Sequence, residues 1–242
     1  DSFRAGTDAW VLRAGRTAAV APALRQLIRR ATVLEQASLG LFNPAIGGLV
    51  AAWGFHDDAL LPGARPSDAR LAPWRDAHPS LADLAWDGEL LRSRNPRVQL
   101  DFGAYAKGVA IDHALDELQR RGVRDALLNL GGNLAAMGRP GGRPWRVGIR
   151  DPHGQGLVAM VRTADREAVV TSGSYERYRM LDGRPATHIL SPQLGAPAES
   201  LVSVTVLHPS AGLADAAATA LLVAGPGRWR TVAQRLGVGQ VL

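Results

Sequence analysis

The spacing of apolar residues predicts amphipathic helices along the chain. A first helix is expected over residues 22–37, where Pro22 suits the first turn. A second is expected over residues 108–121, and Gly122 stops it. An Ala-rich helix is expected over residues 212–224. The predicted buried stripes of the first two helices are Leu24, Leu27, Ile28, Ala31 and Leu34, and Ala110, Ile111, Ala114, Leu115 and Leu118.

Shorter apolar runs between these helices predict β-strands. They cover residues 98–102, 126–133 (a run that ends in paired glycines), 145–150, 157–163, 167–173 and 201–207. Residues 62–80 hold four prolines among polar residues and predict a loop or a loosely structured insertion. The chain is expected to close on a helix near Trp229 to Leu236. Because strands and helices are mixed without a regular βαβ rhythm, we expect an α+β fold, with one compact domain and a mixed sheet.

Composition excludes several classes of function. The 242 residues carry 28 Lys and Arg against 22 Asp and Glu, a net charge of +6. The basic residues are scattered and no basic run is interleaved with aromatic residues, which argues against a nucleic-acid partner. The absence of cysteine excludes disulfides, thiolate metal sites and cysteine nucleophiles. No apolar run reaches the length of about 18 residues that predicts a membrane span.

Lys107 is the only lysine of the chain and lies in the stretch LDFGAYAKGVAID (100–112). Glycines at 103 and 108 let the backbone approach a ligand closely, and a helix that starts here has unpaired N–H groups. An ammonium group at such a helix start predicts a phosphate site, because it is a compact charge with freely rotating donors. The alternative is a solvated lysine at the beginning of a helix.

Further stretches carry polar groups, each with a structural alternative. The paired glycines of NLGGN (129–133) predict a sharp turn or a close ligand contact. TSGSY (171–175) predicts hydroxyl groups that line a polar pocket, since the serine-hydrolase pattern G-x-S-x-G is absent. His188 suits a general base or a structural histidine. Asp215 and Thr219 share a helical face and suit Mg²⁺, or else a first-turn carboxylate and a packed threonine.

Six stretches, in this order, resemble the ApbE-type FAD:protein FMN transferases. They are GLFNPAIGGLVAAWGF (40–55), LDFGAYAKGVAIDHALDELQRRGVRDALLNLGGN (100–133), PWRVGIRDP (144–152), VVTSGSYERY (169–178), DGRPATHILSPQLGAP (182–197) and SVTVLHPSAGLADAAATALLVAG (203–225). The resemblance implies the fold of that family and a Mg²⁺-dependent reaction. In it, a Thr or Ser hydroxyl of a target protein attacks the pyrophosphate of FAD, FMN becomes esterified to the hydroxyl, and AMP leaves.

The resemblance also implies a setting and a role for each matched residue. The acceptors are expected to be subunits of membrane electron-transfer complexes, and the location is expected to be the periplasm or the outer face of the inner membrane, often with a lipid anchor. His188 is expected to deprotonate the acceptor hydroxyl. The Mg²⁺ ligands are expected to be the backbone carbonyl of Ala104 and the side chains of Asp215 and Thr219. The residues expected to contact FAD or to shape its pocket are Leu41, Phe42, Asn43, Asp101, Lys107, Ser172, Gly173 and Tyr175.

Some features depart from the family pattern. Asn43 and Ser191 stand where the family usually has Asp. Residues 1–242 are expected to form a single transferase domain that lacks the N-terminal strand with its Met-Gly-Thr motif, the helix after it, and the final C-terminal strand. These departures leave alternatives open: a pyrophosphatase that splits FAD to FMN and AMP with water, a flavin-binding module without catalysis, or a basic interaction domain without a ligand.

Overall fold

Helices and antiparallel strands are mixed in the computed structural model, which describes residues 17–57 and 59–242. The helices are α1 (Pro22–Ala37), α2 (Gly47–Ala52), α3 (Asp68–Ala77), α4 (Ala106–Arg120) and α5 (Ala211–Arg235). The strands are β1 (Ala18–Ala19), β2 (Leu84–Asp87), β3 (Leu90–Ser93), β4 (Ala126–Leu130), β5 (Asn133–Met137), β6 (Arg146–Arg150), β7 (Leu157–Arg162), β8 (Arg166–Gly173), β9 (Tyr178–Leu181), β10 (Arg184–Thr187), β11 (Leu190–Ser191), β12 (Ala196–Pro197), β13 (Ser203–His208) and β14 (Gln240–Val241). The predicted α+β class is confirmed. No helix within the two described ranges has the length and apolarity that a membrane crossing requires.

The described part of the chain divides into two compact units, the first of which contains the described residues up to 102 together with residues 177–199. Its described strands form a three-stranded antiparallel sheet in the order β1-β3-β2 and two antiparallel pairs, β9–β10 and β11–β12. Helix α2 and the β9–β10 pair contribute to its apolar core, whose larger residues are Ile46, Leu49, Trp53, Phe55, Leu71, Leu181 and Leu190. The indole N–H of Trp53 donates to the carbonyl of Gly195 at 2.9 Å, which satisfies a buried donor.

The second unit comprises residues 103–176 and 200–242 and is built on a five-stranded sheet. The strand order is β14-β13-β8-β5-β4, and every neighbouring pair is antiparallel. Helix α5 packs on β8 and β13, and α4 packs on α5. Strand β6 pairs with β7, and Val147 of β6 packs with Val169 and Leu207 of the sheet. The expectation of a single domain over residues 1–242 stays a prediction.

The strongly periodic segments fold as helices. Helix α1 has the predicted bounds, 22–37. Helix α4 begins two residues before the predicted start, and Gly122 follows its end with a φ of 83°, a value that favours glycine. The predicted buried stripe of α4 is partly wrong, because Ala110 and Ala114 are exposed. The helix therefore packs through a narrower face, centred on Ile111 and Leu115.

The last two predicted helices occur as the two halves of α5. Gly225 interrupts this helix with a φ of 67° and a ψ of −177°, and Pro226 follows it. The first half ends where the sequence predicted, and the second half extends to Arg235. These two residues together explain the break. Gly225 adopts a conformation that other residues avoid, and Pro226 cannot donate a backbone hydrogen bond.

The predicted loop over residues 62–80 is wrong, because its middle forms α3. The Ser67 hydroxyl caps this helix by accepting a hydrogen bond from the Arg70 N–H at 3.3 Å. Pro73 lies inside the helix, although it removes one backbone hydrogen bond. Leu71 is buried in the core of the first unit. Tertiary packing and a good cap thus outweigh the proline content of the segment.

The predicted strand over residues 98–102 is also wrong. Its first three residues are buried, but only Gln99 forms a bridge, which runs parallel to Ile46. The Gln99 carbonyl accepts from the Gly47 N–H at 2.8 Å, and the Gln99 N–H donates to the Ala45 carbonyl at 3.0 Å. The segment is thus an extended connection that pairs with another connection. The other predicted strands are confirmed as β4, β6, β7, β8 and β13, whereas β5, which follows the paired glycines, was not predicted.

Glu35 of α1 carries a carboxyl group that is buried in the first unit, with 3% of the residue exposed. Burial raises its pKa from the ordinary 4.5 to about 7, although the N–H of Leu81, which donates to the carboxylate at 3.0 Å, and the Ser80 hydroxyl lower it. The charge of Asp83 adds a smaller increase. The folded state therefore binds this proton more tightly than the unfolded chain does. The resulting stabilisation is fully present below about pH 4.5 and is lost as the pH rises through about 7.

We expect Glu35→Gln to remove this part of the pH dependence. Gln keeps an oxygen that accepts from the Leu81 N–H but never ionises. The variant should therefore gain stability relative to the parent protein between about pH 5 and about pH 8, by up to about 3 kcal/mol. Urea unfolding at a series of pH values measures this difference. Glu199→Gln, at a side chain that is 60% exposed, is the matched control. Parallel stability curves for Glu35→Gln and the parent protein would contradict the expectation.

Candidate functional site

The first turns of α4 and α5 contact each other through backbone atoms in the second unit. A Cβ atom added to Gly108 would lie 2.2 Å from the carbonyl oxygen of Ala211 and 2.8 Å from the Cα of Gly212. Both distances are far below van der Waals contact, so only glycine fits at position 108. The two helices therefore meet at the ends where each has unpaired backbone N–H groups.

Each helix receives a carboxylate from the other at this contact. Asp215 of α5 accepts a hydrogen bond from the Gly108 N–H of α4, at 3.1 Å from Oδ2. Asp112 of α4 accepts three hydrogen bonds from the start of α5, from the Ala211 N–H at 2.8 Å, the Gly212 N–H at 3.0 Å and the Ser210 hydroxyl at 2.8 Å. Negative groups at helix N-termini satisfy unpaired donors and complement the positive end of the dipole. We call this pair of contacts the carboxylate exchange.

Asp112 is a residue of this site that sequence reasoning missed. The spacing of Asp112 could have indicated its role, because Asp112 follows Gly108 by four residues and so lies on the same helical face. A glycine that admits close backbone approach and a carboxylate one turn later mark that face as a contact with another backbone. The partners lie about a hundred positions later in the chain, so the sequence alone did not identify them.

Asp215 is buried, with 3% of the residue exposed. Burial raises the pKa of its carboxyl group, whereas the Lys107 ammonium, the Asn133 amide and the Gly108 N–H lower it. The Nδ2 atom of Asn133 is buried and has no hydrogen-bond partner among the described residues, so its effect on Asp215 is that of a nearby dipole. Because Gly108, whose N–H donates to Asp215 at 3.1 Å, directly follows Lys107, the backbone of Lys107 lies near this carboxylate, as the predicted phosphate site requires.

Lys107 lies beside the turn between β4 and β5. Its Nζ donates to the carbonyl of Gly103 at 3.1 Å, and its Cδ lies 3.7 Å from the place that a Cβ of Gly131 would occupy. Gly131 and Gly132 have φ values of 59° and 90°, so the paired glycines form the predicted sharp turn. This turn leaves room for the stem of Lys107 next to the first turn of α4.

Oxygen donors suited to Mg²⁺ lie near Asp215. Thr219 follows it by one helical turn, and its hydroxyl lies 3.2 Å from the hydroxyl of Ser172 on β8. The third predicted ligand is the backbone carbonyl of Ala104, which directly precedes Tyr105, the N-cap residue of α4. A carboxylate, a hydroxyl and a carbonyl form the all-oxygen donor set that hard divalent cations prefer. The predicted Mg²⁺ ligands thus fit the ion chemically, and their role stays a prediction.

A cavity of about 560 Å³ in the second unit adjoins the β4–β5 turn and is lined partly by Tyr175 and Thr171. Burial and the charge of Glu176 raise the pKa of Tyr175, and the charge of Arg150 lowers it. A Cβ on Gly173 would lie 2.8 Å from the Tyr175 ring, so glycine lets the ring lie against β8. Thr171 faces this cavity whereas the next residue, Ser172, faces α5. The predicted hydroxyl pocket is therefore divided between the two faces of β8.

His188 lies in the first unit, between β10 and β11. Its Nδ1 is 2.8 Å from the carbonyl oxygen of Arg177, and its backbone N–H donates to the same carbonyl at 3.1 Å. Since a carbonyl oxygen only accepts hydrogen bonds, Nδ1 carries the proton and Nε2 is the basic nitrogen of the neutral ring. The Phe55 ring meets the imidazole edge-on, with 6.4 Å between the ring centres. The side chain is therefore held in one orientation and one tautomer.

The two departures from the family pattern have local structural roles in the first unit. The Asn43 amide donates to the carbonyl of Pro79 at 2.8 Å, and its oxygen accepts from the Ala45 N–H at 2.8 Å. An ionised Asp at this position could not donate to Pro79. The hydroxyl of Ser191 is buried and accepts from the Leu194 N–H at 3.2 Å. Both side chains thus hold neighbouring backbone in place.

The remaining predicted flavin contacts also belong to the first unit. Leu41 and Phe42 are core residues, with 1% and 2% exposed. Asp101 follows the extended segment at 98–100, and its N–H donates to the carbonyl of Pro44 at 2.8 Å. Asp101 and the 41–43 segment are therefore neighbours in the fold. Their contact with FAD stays a prediction.

Comparison with known proteins identifies relatives along almost the whole chain. A model of the ApbE family matches residues 2–242. An FAD:protein FMN transferase of Rhodobacter capsulatus is 47% identical over 231 residues, which is 96% of this chain and 44% of that protein. A second FAD:protein FMN transferase, from Treponema pallidum, is 37% identical over 219 residues, which is 84% of this chain and 60% of that protein. The chain thus spans about half the length of these relatives.

Solved structures show the same fold. The ApbE protein of Thermotoga maritima superposes with a TM-score of 0.87 at 28% identity, covering 97% of this chain and 77% of that one. The apo form of the flavinyl transferase ApbE of Pseudomonas stutzeri superposes with a TM-score of 0.82 at 32% identity, covering 100% of this chain and 76% of that one. The predicted type of fold is therefore confirmed.

We expect Gly108→Ala to destabilise the second unit, because the new Cβ would meet backbone atoms that no rotamer change can move. The expected loss is about 1–3 kcal/mol, the usual cost of overpacking. Urea unfolding measures it. Gly227→Ala is the matched control: it lies in α5, an added Cβ there would meet no described atom within 4 Å, and it should leave stability unchanged or raise it by up to about 1 kcal/mol. Equal stability of the two variants would disprove the close backbone contact.

Proposed function

Since this chain belongs to the ApbE family, we propose that it transfers FMN from FAD to a Thr or Ser hydroxyl of an acceptor protein, with release of AMP. The relatives named as FAD:protein FMN transferases, up to 47% identical to this chain, support the reaction class. The observation that carries the proposal is that the buried carboxylate of Asp215 accepts a hydrogen bond from the N–H of Gly108, the residue next to Lys107, at 3.1 Å. An ammonium and a carboxylate that can hold a divalent cation are the groups that a diphosphate requires.

In the proposed reaction, the acceptor hydroxyl oxygen forms a bond to the phosphorus on the FMN side of the diphosphate. The bond between this phosphorus and the bridging oxygen breaks, and the bridging oxygen leaves with AMP. The hydroxyl proton passes to a base of the enzyme, so no covalent intermediate with the enzyme is needed. Catalysis of such a step depends on positioning the reactants and neutralising the charge of the phosphates.

Lys107 supplies a fixed positive charge in this proposal. Its ammonium group suits a narrow space between the first turn of α4 and the Gly131–Gly132 turn better than a planar guanidinium would. Asp215, Thr219 and the Ala104 carbonyl would hold Mg²⁺. When bound, this ion would offset the negative charge on the diphosphate oxygens as AMP leaves.

We assign the base to His188. The hydrogen bond from its Nδ1 to the Arg177 carbonyl makes Nε2 the basic nitrogen of the neutral ring, which supports a role as proton acceptor. A base of this kind contributes about 10² to 10⁴-fold to the rate of such a transfer. The hydroxyl of Ser191, where the family usually has Asp, is engaged with the backbone of its own turn.

We also propose the setting that the family resemblance implies. The acceptor would be a subunit of a membrane electron-transfer complex, and the protein would act in the periplasm or at the outer face of the inner membrane. The family resemblance supports both the acceptor class and the location, whereas the fold and the site geometry support the reaction class.

We expect Asp215→Asn to reduce Mg²⁺-dependent release of AMP from FAD by about 10²-fold or more, because the amide has no charge and offers one oxygen ligand instead of two. The protein is incubated with FAD, Mg²⁺ and an acceptor that carries a Thr or Ser. Chromatography measures AMP, and flavin fluorescence after denaturing electrophoresis measures FMN on the acceptor. Asp165→Asn, at a side chain that is 76% exposed, is the matched control and should keep full activity.

The outcomes of this assay separate the proposed function from its alternatives. Full activity of Asp215→Asn would remove the metal assignment. Release of AMP by the parent protein without labelling of the acceptor would replace the transferase by a pyrophosphatase. Binding of FAD without any release of AMP would replace it by a flavin-binding module. An acceptor with the hydroxyl residue changed to Ala should stay unlabelled.

We expect His188→Gln to keep FAD binding but to slow transfer by about 10² to 10⁴-fold, because Gln has no nitrogen that accepts a proton near neutral pH. Quenching of flavin fluorescence measures binding, and labelling of the acceptor measures transfer. His113→Gln, at an exposed position of α4, is the control and should transfer at the parent rate. Normal transfer by His188→Gln would mean that another group takes the proton.

A further inference from the structure

We propose that Asp112 is a positioning residue for the divalent cation: it fixes the first turn of α5 against α4, and so sets where Asp215 and Thr219 stand relative to Lys107. This inference rests on the cation site of the proposed function and adds a residue to which no role is assigned by the resemblance. Asp112 does not touch the proposed ligands themselves. It acts through the backbone of the helix that carries two of them.

The contacts of Asp112 concentrate on the start of α5. Its carboxylate accepts from two successive backbone N–H groups, those of Ala211 and Gly212, and from the Ser210 hydroxyl. Ser210 in turn accepts from the Leu213 N–H at 3.3 Å, so the same hydroxyl links the carboxylate to the helix cap. A group that engages three donors of one turn leaves that turn little freedom to rotate or slide.

The carboxylate exchange links the contacts of Asp112 directly to the position of the Asp215 carboxylate. Gly108 and Asp112 are one helical turn apart on α4, and Ala211 and Asp215 are one turn apart on α5. Asp112 bonds to Ala211, and Asp215 bonds to Gly108, so the four positions form a closed ring of contacts. A shift of either helix start therefore displaces the Asp215 carboxylate relative to Lys107, which is the neighbour of Gly108.

Strand β8 holds the other side of Asp112. Arg166 at the start of β8 donates to the Asp112 carbonyl at 3.5 Å and forms an ion pair with Asp116 at 2.7 Å. The same strand carries Ser172, whose hydroxyl contacts Thr219 of α5. Asp112 thus lies where three elements contact one another: α4, which carries Lys107, α5, which carries Asp215, and β8.

The test measures binding of Mn²⁺, as a spectroscopic stand-in for Mg²⁺, by electron paramagnetic resonance in the presence of saturating AMP. We expect Asp112→Asn to weaken Mn²⁺ binding by about 10-fold or more, the usual effect of removing a group that orients metal ligands. Glu117→Gln is the matched control, because it removes one carboxylate from the same helix and loses only its ion pairs with Arg120 and Arg121, and it should bind as the parent protein does. Ser210→Ala removes one of the three donors to Asp112 and should have a smaller effect in the same direction.

Stability is measured for each variant, so that a general loss of structure is recognised. A lower melting temperature for Asp112→Asn with unchanged Mn²⁺ affinity would overturn the inference and leave Asp112 a purely structural residue. If Asp112→Asn does not fold, Ser210→Ala decides: unchanged affinity there overturns the inference, and weakened affinity supports it. Failure of the parent protein to bind Mn²⁺ would instead contradict the cation site of the proposed function, which separates the two failures.

Discussion

The carboxylate exchange between α4 and α5 is the constraint on which the candidate site depends. Gly108 brings two backbones to a distance that no other residue allows, and this contact places an aspartate of each helix at the N-terminal end of the other. Because hydrogen bonds to ionised groups are short and directional, the pair fixes both the separation and the rotation of the helices. Lys107 owes its place near Asp215 to this arrangement, since it is the neighbour of Gly108 and Asp215 is itself part of the contact.

The exchange also changes the expected electrostatics of the site. A helix start near Lys107 suggests that backbone N–H groups bind a phosphate, but the Gly108 N–H serves Asp215 and the first N–H groups of α5 serve Asp112. The attraction for a polyanion would therefore fall on Lys107 and on the cation that we propose at Asp215. Burial makes the charge of Asp215 costly, as its raised pKa indicates, and a divalent ion is the partner that would best offset this cost.

The parts of the fold that follow a strong local period could be predicted from the sequence, and the parts set by distant contacts could not. Helix α1 and the strand that leads into the paired glycines, β4, have apolar patterns that tertiary packing reinforces. Helix α3 was missed because prolines are visible in the sequence while the burial of Leu71 is not. The same holds for the residues of the site. The spacing of Asp215 and Thr219 shows that they share a helical face. The role of Asp112 depends on hydrogen bonds to residues about a hundred positions away, which the sequence does not show.

The route of the chain between the two compact units restricts how the protein can be made. The polypeptide passes from one unit to the other three times, after residues 102, 176 and 199, so neither unit is a continuous stretch. On the ribosome, the first unit stays incomplete until residue 199 has emerged, and the second waits for the C-terminal helix and strand. No single cut yields an autonomous half. A translation product that is interrupted before residue 199 would therefore display neither finished core, and one interrupted later would still lack the second.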